Sequence, residues 1–134
     1  MIELVIGSRC TGCNACVEAC PTNVFEAAPG APPVIARQSD CQTCYMCELY
    51  CPADALFVGS DAERATGVDE ASLLASGLLG QFRRDHGWGE WAQDPRYANQ
   101  HWYMGEVFRR ARADAAARKT PGAPVEPALA PEKP

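Results

Sequence analysis

The sequence predicts an α+β chain, a small duplicated β-α-β unit over residues 1–60 followed by an α-helical extension. Three observations carry this expectation. All eight cysteines fall in two runs of identical spacing between Cys10 and Cys51. The second run repeats the first at an offset of 31 residues, the proline after each fourth cysteine included. Beyond residue 60 the apolar residues recur at helical spacing, and seven of the chain's eleven aromatics lie between residues 69 and 119.

The first unit is taken in order. Ile2, Leu4 and Ile6 alternate with Glu3, a pattern that suits a half-buried strand. Cys10–Cys20 forms a loop and a short helix, and Val24–Ala28 a second strand. The stretch Ala28-Pro-Gly-Ala-Pro-Pro33 is expected to break regular structure and turn the chain. Val34–Arg37 and Leu56–Val58 supply the matching strands of the second half.

The cysteine runs read Cys10-Thr-Gly-Cys13-Asn-Ala-Cys16-Val-Glu-Ala-Cys20-Pro21 and Cys41-Gln-Thr-Cys44-Tyr-Met-Cys47-Glu-Leu-Tyr-Cys51-Pro52. A 4Fe–4S cubane needs a soft thiolate at each of four iron corners. Three cysteines at i, i+3 and i+6 wrap one looped turn around three of them. Gly12 takes positive φ without penalty and brings the backbone close. The fourth cysteine lies past a short helical turn and points away, toward the cluster of the other half. Cluster I is therefore assigned to Cys10, Cys13, Cys16 and Cys51, and cluster II to Cys41, Cys44, Cys47 and Cys20. Pro21 and Pro52 fix φ where each short helix ends.

Zinc is the competing reading, but zinc sites pair two C-x2-C knuckles and leave no use for a third cysteine at the same spacing. A disulfide framework would require an oxidising compartment, which nothing in the sequence indicates. A 60-residue unit buries little apolar surface, so metal ligation is expected to supply much of its stability.

With every ligand position matched, residues 1–60 resemble a bacterial-type two-cluster ferredoxin. The resemblance implies a ferredoxin-like pseudo-twofold fold, two 4Fe–4S clusters and one-electron transfer, without a catalytic centre of its own. A cluster domain with a C-terminal extension is also similar in architecture to the iron–sulfur subunit of adenylylsulfate reductases and related flavoprotein complexes. That similarity implies an FAD-bearing catalytic oxidoreductase subunit as partner. The regular first run departs from the longer first run of the adenylylsulfate reductase subunit. The alternative is a free ferredoxin shuttling electrons among several partners.

The extension is divided into residues 61–119, helical and aromatic-rich, and residues 120–134, Pro- and Ala-rich and expected to be disordered. Residues 61–68 are a polar linker. Asp69 is the expected N-cap of a helix from Glu70 to about Asp85, with Leu73, Leu74, Leu78 and Phe82 on one stripe. Gly87 and Gly89 end it. Trp88, Trp91, Trp102, Tyr97 and Tyr103 gather in the next stretch. A second helix is expected from about Trp102 to Lys119, with Met104, Val107, Phe108 and Ala111 on one side and Arg109, Arg110 and Arg112 beside it. Trp, Tyr and Arg are typical interface anchors, and the small unit offers little free surface for two helices and an aromatic loop, so residues 69–119 are expected to dock on the partner; the alternative is that both helices fold back on residues 1–60.

Charge and motifs exclude other functions. Residues 1–60 hold Arg9 and Arg37 against six acids, a net charge of −4. No basic stripe accompanies the cysteines, so nucleic acid is not an expected ligand. The apolar runs are too short to span a bilayer and no basic leader is present, so a cytoplasmic protein is expected. No nucleophile motif or dinucleotide fingerprint occurs; Gly77 and Gly80 sit in a helical pattern. His86 and His101 are expected at a surface or interface. Tyr45, Tyr50, Phe25 and Phe57 are expected to pack the small core and shield the clusters.

Overall fold

The computed structural model describes residues 1–97 and 104–118. The chain runs β1 (Ile2–Val5), α1 (Ala15–Ala19), β2 (Phe25–Ala28), β3 (Ala31–Ile35), a 3-10 turn (Gln38–Asp40), α2 (Met46–Tyr50) and β4 (Leu56–Val58). It continues with α3 (Glu70–Ser76), α4 (Gln81–Asp85), a second 3-10 turn (Pro95–Tyr97) and α5 (Gly105–Arg118). Mixed strand and helix thus give way to helix alone. Among the described residues no helix is long and apolar enough to cross a membrane.

The strands form two antiparallel pairs. β1 lies against β4, with Ile2 opposite Val58 and Val5 opposite Leu56. β2 lies against β3, with Phe25 opposite Ile35 and Ala28 opposite Ala31. Only Pro29 and Gly30 make the turn between them, Gly30 at φ 68°. The expected break over 28–33 is therefore too long, because Ala31, Pro32 and Pro33 belong to β3. Each strand of a two-stranded ribbon keeps an open edge, and the register slips between Glu26 and Ala28. Both features relieve the ladder where proline lacks a donor.

The 31-residue offset survives in the backbone: α1 and α2 begin 31 residues apart, as do β2 and β4. Left-handed residues repeat likewise, as Gly12 with Thr43, Asn14 with Tyr45, and Asn23 with Asp54. One core cluster joins Ile2, Val24, Phe25, Leu56 and Val58 to the inner cysteines Cys16, Cys20, Cys47 and Cys51.

The second cluster joins the two parts of the chain. Ile6, fully buried, packs with Leu73 and Leu79, flanked by Leu4, Phe57 and Val68. Phe108 of α5 is buried as well, its ring edge-on to Tyr50 at 5.8 Å. α5 lies along α1, and Arg112 Nη1 donates to the carbonyl of Glu18. The extension thus folds back on residues 1–60. The expectation that the small unit offered too little surface for this is corrected: the outer side of β1 and β4 and the flanks of α1 and α2 take it.

The first extension helix is also corrected. The expected single helix from Glu70 to Asp85 is two, α3 and α4, because Gly77 and Gly80 both take left-handed φ, at 75° and 80°. The break re-phases the apolar stripe. Leu73 and Leu79 point inward, while Leu74 and Leu78, expected beside Leu73, are exposed. The expected N-cap is present, with the Asp69 side chain accepting the Ser72 amide at 2.7 Å. Phe108 of α5 is buried, but Val107 and, just ahead of the helix, Met104 of the expected stripe are exposed. His101, Trp102, Tyr103, Lys119 and the expected disordered tail 120–134 lie outside the described residues.

Candidate metal centres

Each cysteine loop is entered through left-handed backbone. Asn14 at φ 59° precedes α1, and Tyr45 at φ 62° precedes α2. These turns bring three cysteines to one side of the loop, and each five-residue helix then carries the fourth away. One pocket gathers Cys10, Cys13, Cys16 and Cys51 against Val5, Asn14 and Leu56. The other gathers Cys41, Cys44, Cys47 and Cys20 against Ile2, Val24, Phe25 and Tyr45. In both, three thiols come from one run and the fourth from the other. The second and third cysteines differ in access: Cys13 and Cys44 are exposed, Cys16 and Cys47 buried.

Backbone amides point at the sulfurs in the same repeated way. The amides of Gly12 and Thr43 donate to Cys10 and Cys41, each at 3.4 Å. Those of Val24 and Ala55 donate to Cys20 and Cys51, again at 3.4 Å. Ile2 adds a further donor to Cys41 at 3.3 Å. Amide donors stabilise thiolate charge and tune a bound cluster's potential. The hydroxyl of Thr43 is buried without a partner among the described residues, a donor suited to an acceptor such as a cluster sulfide. Among the described residues no three His, Cys, Asp or Glu side chains converge on one ion. Each set of four thiols lines one pocket, the number of thiolates that a 4Fe–4S cubane takes.

Three of the sulfurs, those of Cys16, Cys44 and Cys47, are costly to ionise by themselves. Burial, reinforced by Cys51, Cys10 and Cys13, pushes the Cys16 thiol up to about 12. Burial raises Cys44, and raises Cys47 further, with Glu48 and neighbouring cysteines adding to the latter. Metal binding must therefore displace protons from these thiols.

Sequence reasoning missed Glu48. It sits on α2 between Cys47 and Cys51, only 8% exposed, and its Oε1 accepts the Val58 amide at 3.0 Å. Burial pushes its carboxyl up to about 7, the Val58 amide opposing and Asp54 adding. The signal available was the difference between the two runs, since the residue 31 positions earlier is Val17. Of the expected core aromatics, Phe25 is buried, while Tyr45, Tyr50 and Phe57 are half-buried. Tyr45 stacks on Phe82, with ring centroids 4.8 Å apart. Tyr50 meets Trp88 at 5.1 Å. His86 is exposed, as expected, with Nδ1 2.8 Å from the Phe82 carbonyl.

Two symmetric four-cysteine pockets define an electron-transfer protein with two 4Fe–4S clusters, and residues 9–56 match the model of the 4Fe-4S dicluster domain. A ferredoxin of Methanothermococcus thermolithotrophicus is 44% identical over 52 residues, which cover 37% of this chain and 85% of that protein. An uncharacterized ferredoxin of Methanocaldococcus jannaschii is 45% identical over 53 residues, covering 38% and 84%. The ferredoxin-type protein NapF of Escherichia coli is 39% identical over 51 residues, but these are only 30% of its length. No solved structure matches. The chain belongs to the ferredoxin family. The family match stops ahead of α3, so the extension lies beyond it.

Proposed function

We propose that this protein passes single electrons through two 4Fe–4S clusters on a ferredoxin-like pseudo-twofold unit. One is held by Cys10, Cys13, Cys16 and Cys51, the other by Cys41, Cys44, Cys47 and Cys20. Such clusters supply reversible one-electron chemistry. The observation that carries the reading is the gathering of each fourth cysteine into the opposite run's pocket. The chain's own part is to exclude water from the inner thiols, aim amides at sulfur and leave Cys13 and Cys44 at the surface as points of exchange. Anaerobically purified protein should contain about eight iron and eight acid-labile sulfide per chain. A folded, iron-free, zinc-loaded product would overturn the reading.

Within that role the chain serves as the iron–sulfur subunit of a larger, FAD-containing oxidoreductase, in an architecture like that of adenylylsulfate reductase. The docking surface is the outward side of residues 69–119. Support comes from the apolar side chains that the extension keeps exposed after folding back, namely Leu74, Leu78, Met104 and Val107. The second reading, a free ferredoxin serving several partners, draws on the inward packing of Leu73, Leu79 and Phe108. Purification from native cells, with flavin absorbance recorded in the same fractions, separates the two. Co-elution with a flavoprotein supports the subunit. A stable monomer active with several unrelated reductases supports the carrier.

A further inference from the structure

We propose that the Thr22 hydroxyl and the Ile2 amide raise the reduction potential of the centre held by Cys41, Cys44, Cys47 and Cys20, and that the other half of the repeat withholds both donors from its twin. This rests on the electron-transfer reading above. The Thr22 hydroxyl lies 3.7 Å from the Cys20 sulfur, a reach suited to the large sulfur atom, and Thr22 lines that pocket. As an iron ligand Cys20 is a thiolate with no proton to give, so Thr22 is the donor. The Ile2 amide donates to Cys41 at 3.3 Å from the wall of the same pocket.

The repeat supplies the comparison. The residue 31 positions after Thr22 is Ala53, and the residue 31 positions after Ile2 is Pro33. Both line the pocket of Cys10, Cys13, Cys16 and Cys51. Alanine has no hydroxyl and proline no amide hydrogen, so neither can repeat its counterpart's bond. The remaining donors come in matched pairs, Gly12 with Thr43 and Val24 with Ala55, all at 3.4 Å. Thr11, Asn14 and Gln42 also line the pockets, but among the described residues none of their side chains donates to a sulfur. The inequality therefore rests on Thr22 against Ala53 and Ile2 against Pro33.

The direction follows from charge. Reduction adds one electron, taken from the external reductant, and no atom or proton need move with it. A hydrogen bond to sulfur strengthens as the sulfur becomes more negative, so a donor stabilises the reduced form more than the oxidised one. The potential rises accordingly. Glu48 adjoins Cys47, and its charge acts on the same centre in the opposite sense. The effect of a donor is therefore read from a variant against its parent at one pH, where the contribution of Glu48 is common to both.

The test is a potentiometric titration of the cluster-loaded full chain with dithionite, the two centres followed separately by paramagnetic resonance. Thr22→Val keeps the shape and removes the donor. It should disfavour reduction of one centre about fivefold, which is about 40 mV for a one-electron couple, and leave the other centre unmoved. Thr22→Ser keeps a hydroxyl and should stay close to the parent. Ala53→Thr adds a hydroxyl and should shift the other centre upward by a similar factor. An unshifted Thr22→Val, a serine variant that shifts as far as valine, or two variants that move the same centre would overturn the proposal. Where Thr22→Val loads no iron, Ala53→Thr decides, and an unshifted potential there overturns it equally. Parent centres that dithionite cannot reduce would instead overturn the electron-transfer reading, and this inference with it.

Discussion

The guanidinium of Arg83 grips the carboxylate of Asp54 at two points, Nε donating to Oδ1 at 3.0 Å and Nη2 to Oδ2 at 3.3 Å. Asp54 stands three residues past Cys51, in left-handed backbone at φ 51°. The pair fastens α4 to the turn that follows the last cysteine. Gly80 permits it, because a Cβ there would stand 2.3 Å from Asp54 Cγ at a φ of 80°. Gly80→Ala should cost about 2 kcal/mol from backbone strain alone. Arg83→Ala, at a half-exposed pair, should cost about 1 kcal/mol. Thermal unfolding of the cluster-loaded variants measures both. Unfolding unchanged in Gly80→Ala would refute the close approach.

Removal of the extension should not be neutral. Leu73 and Leu79 pack on Ile6, the apolar residue that follows β1. Leu73→Ala should destabilise by about 3 kcal/mol, the usual range for a buried leucine emptied to alanine. Truncation after Ser60 uncovers the whole patch and should lower the midpoint of cluster loss on heating, followed by visible absorbance. A truncated chain as heat-stable as the full one would show that the extension contributes nothing to its own core.

Glu48 should make stability depend on pH near neutrality. Its folded pKa, about 7, lies above the usual carboxylate value, so the folded state holds a proton that the unfolded chain releases. The favourable contribution is complete below about 4.5 and is lost as pH rises through about 7. Bound clusters add negative charge beside Glu48 and push in the same direction. The parent should therefore lose stability between pH 5 and 8 relative to Glu48→Gln, which has no proton to release there. Parallel melting curves across that window would expose the error if the two proteins tracked each other.

Much of the site was legible because thiolate ligation leaves a rigid spacing in sequence. Cys10 through Cys51 needed no tertiary information to be read as two sets of four thiols, the sets that the two pockets gather, and the strands near Ile2, Phe25 and Leu56 followed from the repeat. The extension was less legible. Helical periodicity does not say what a stripe packs against, so residues near Leu73 read equally well as a partner's dock or as a cover for Ile6. Nor does it locate a break: Gly77 and Gly80 are tolerated inside a helix pattern, and only their left-handed φ splits α3 from α4. Glu48 was hidden for a different reason. A lone glutamate in a short helix looks solvent-facing until the amide of Val58 is in place.

The last prediction concerns which centre each outlying cysteine serves. Cys20 closes α1 but lies in the pocket with Cys41, Cys44 and Cys47, and its sulfur accepts the Val24 amide at 3.4 Å. Cys51 closes α2 but lies with Cys10, Cys13 and Cys16, accepting the Ala55 amide at 3.4 Å. Cys20→Ala should therefore damage the centre built on the second run and spare the one built on the first; Cys51→Ala should do the reverse. The two centres differ in surroundings, since Glu48 and Tyr45 occupy positions that are Val17 and Asn14 beside the other. Their paramagnetic spectra after one-electron reduction should differ accordingly. Each variant should then retain one of two distinct signals and lose about half its iron. Two variants that kept the same signal, or a Cys20→Ala protein that lost the centre of Cys10, Cys13 and Cys16, would show that ligation does not cross between the runs.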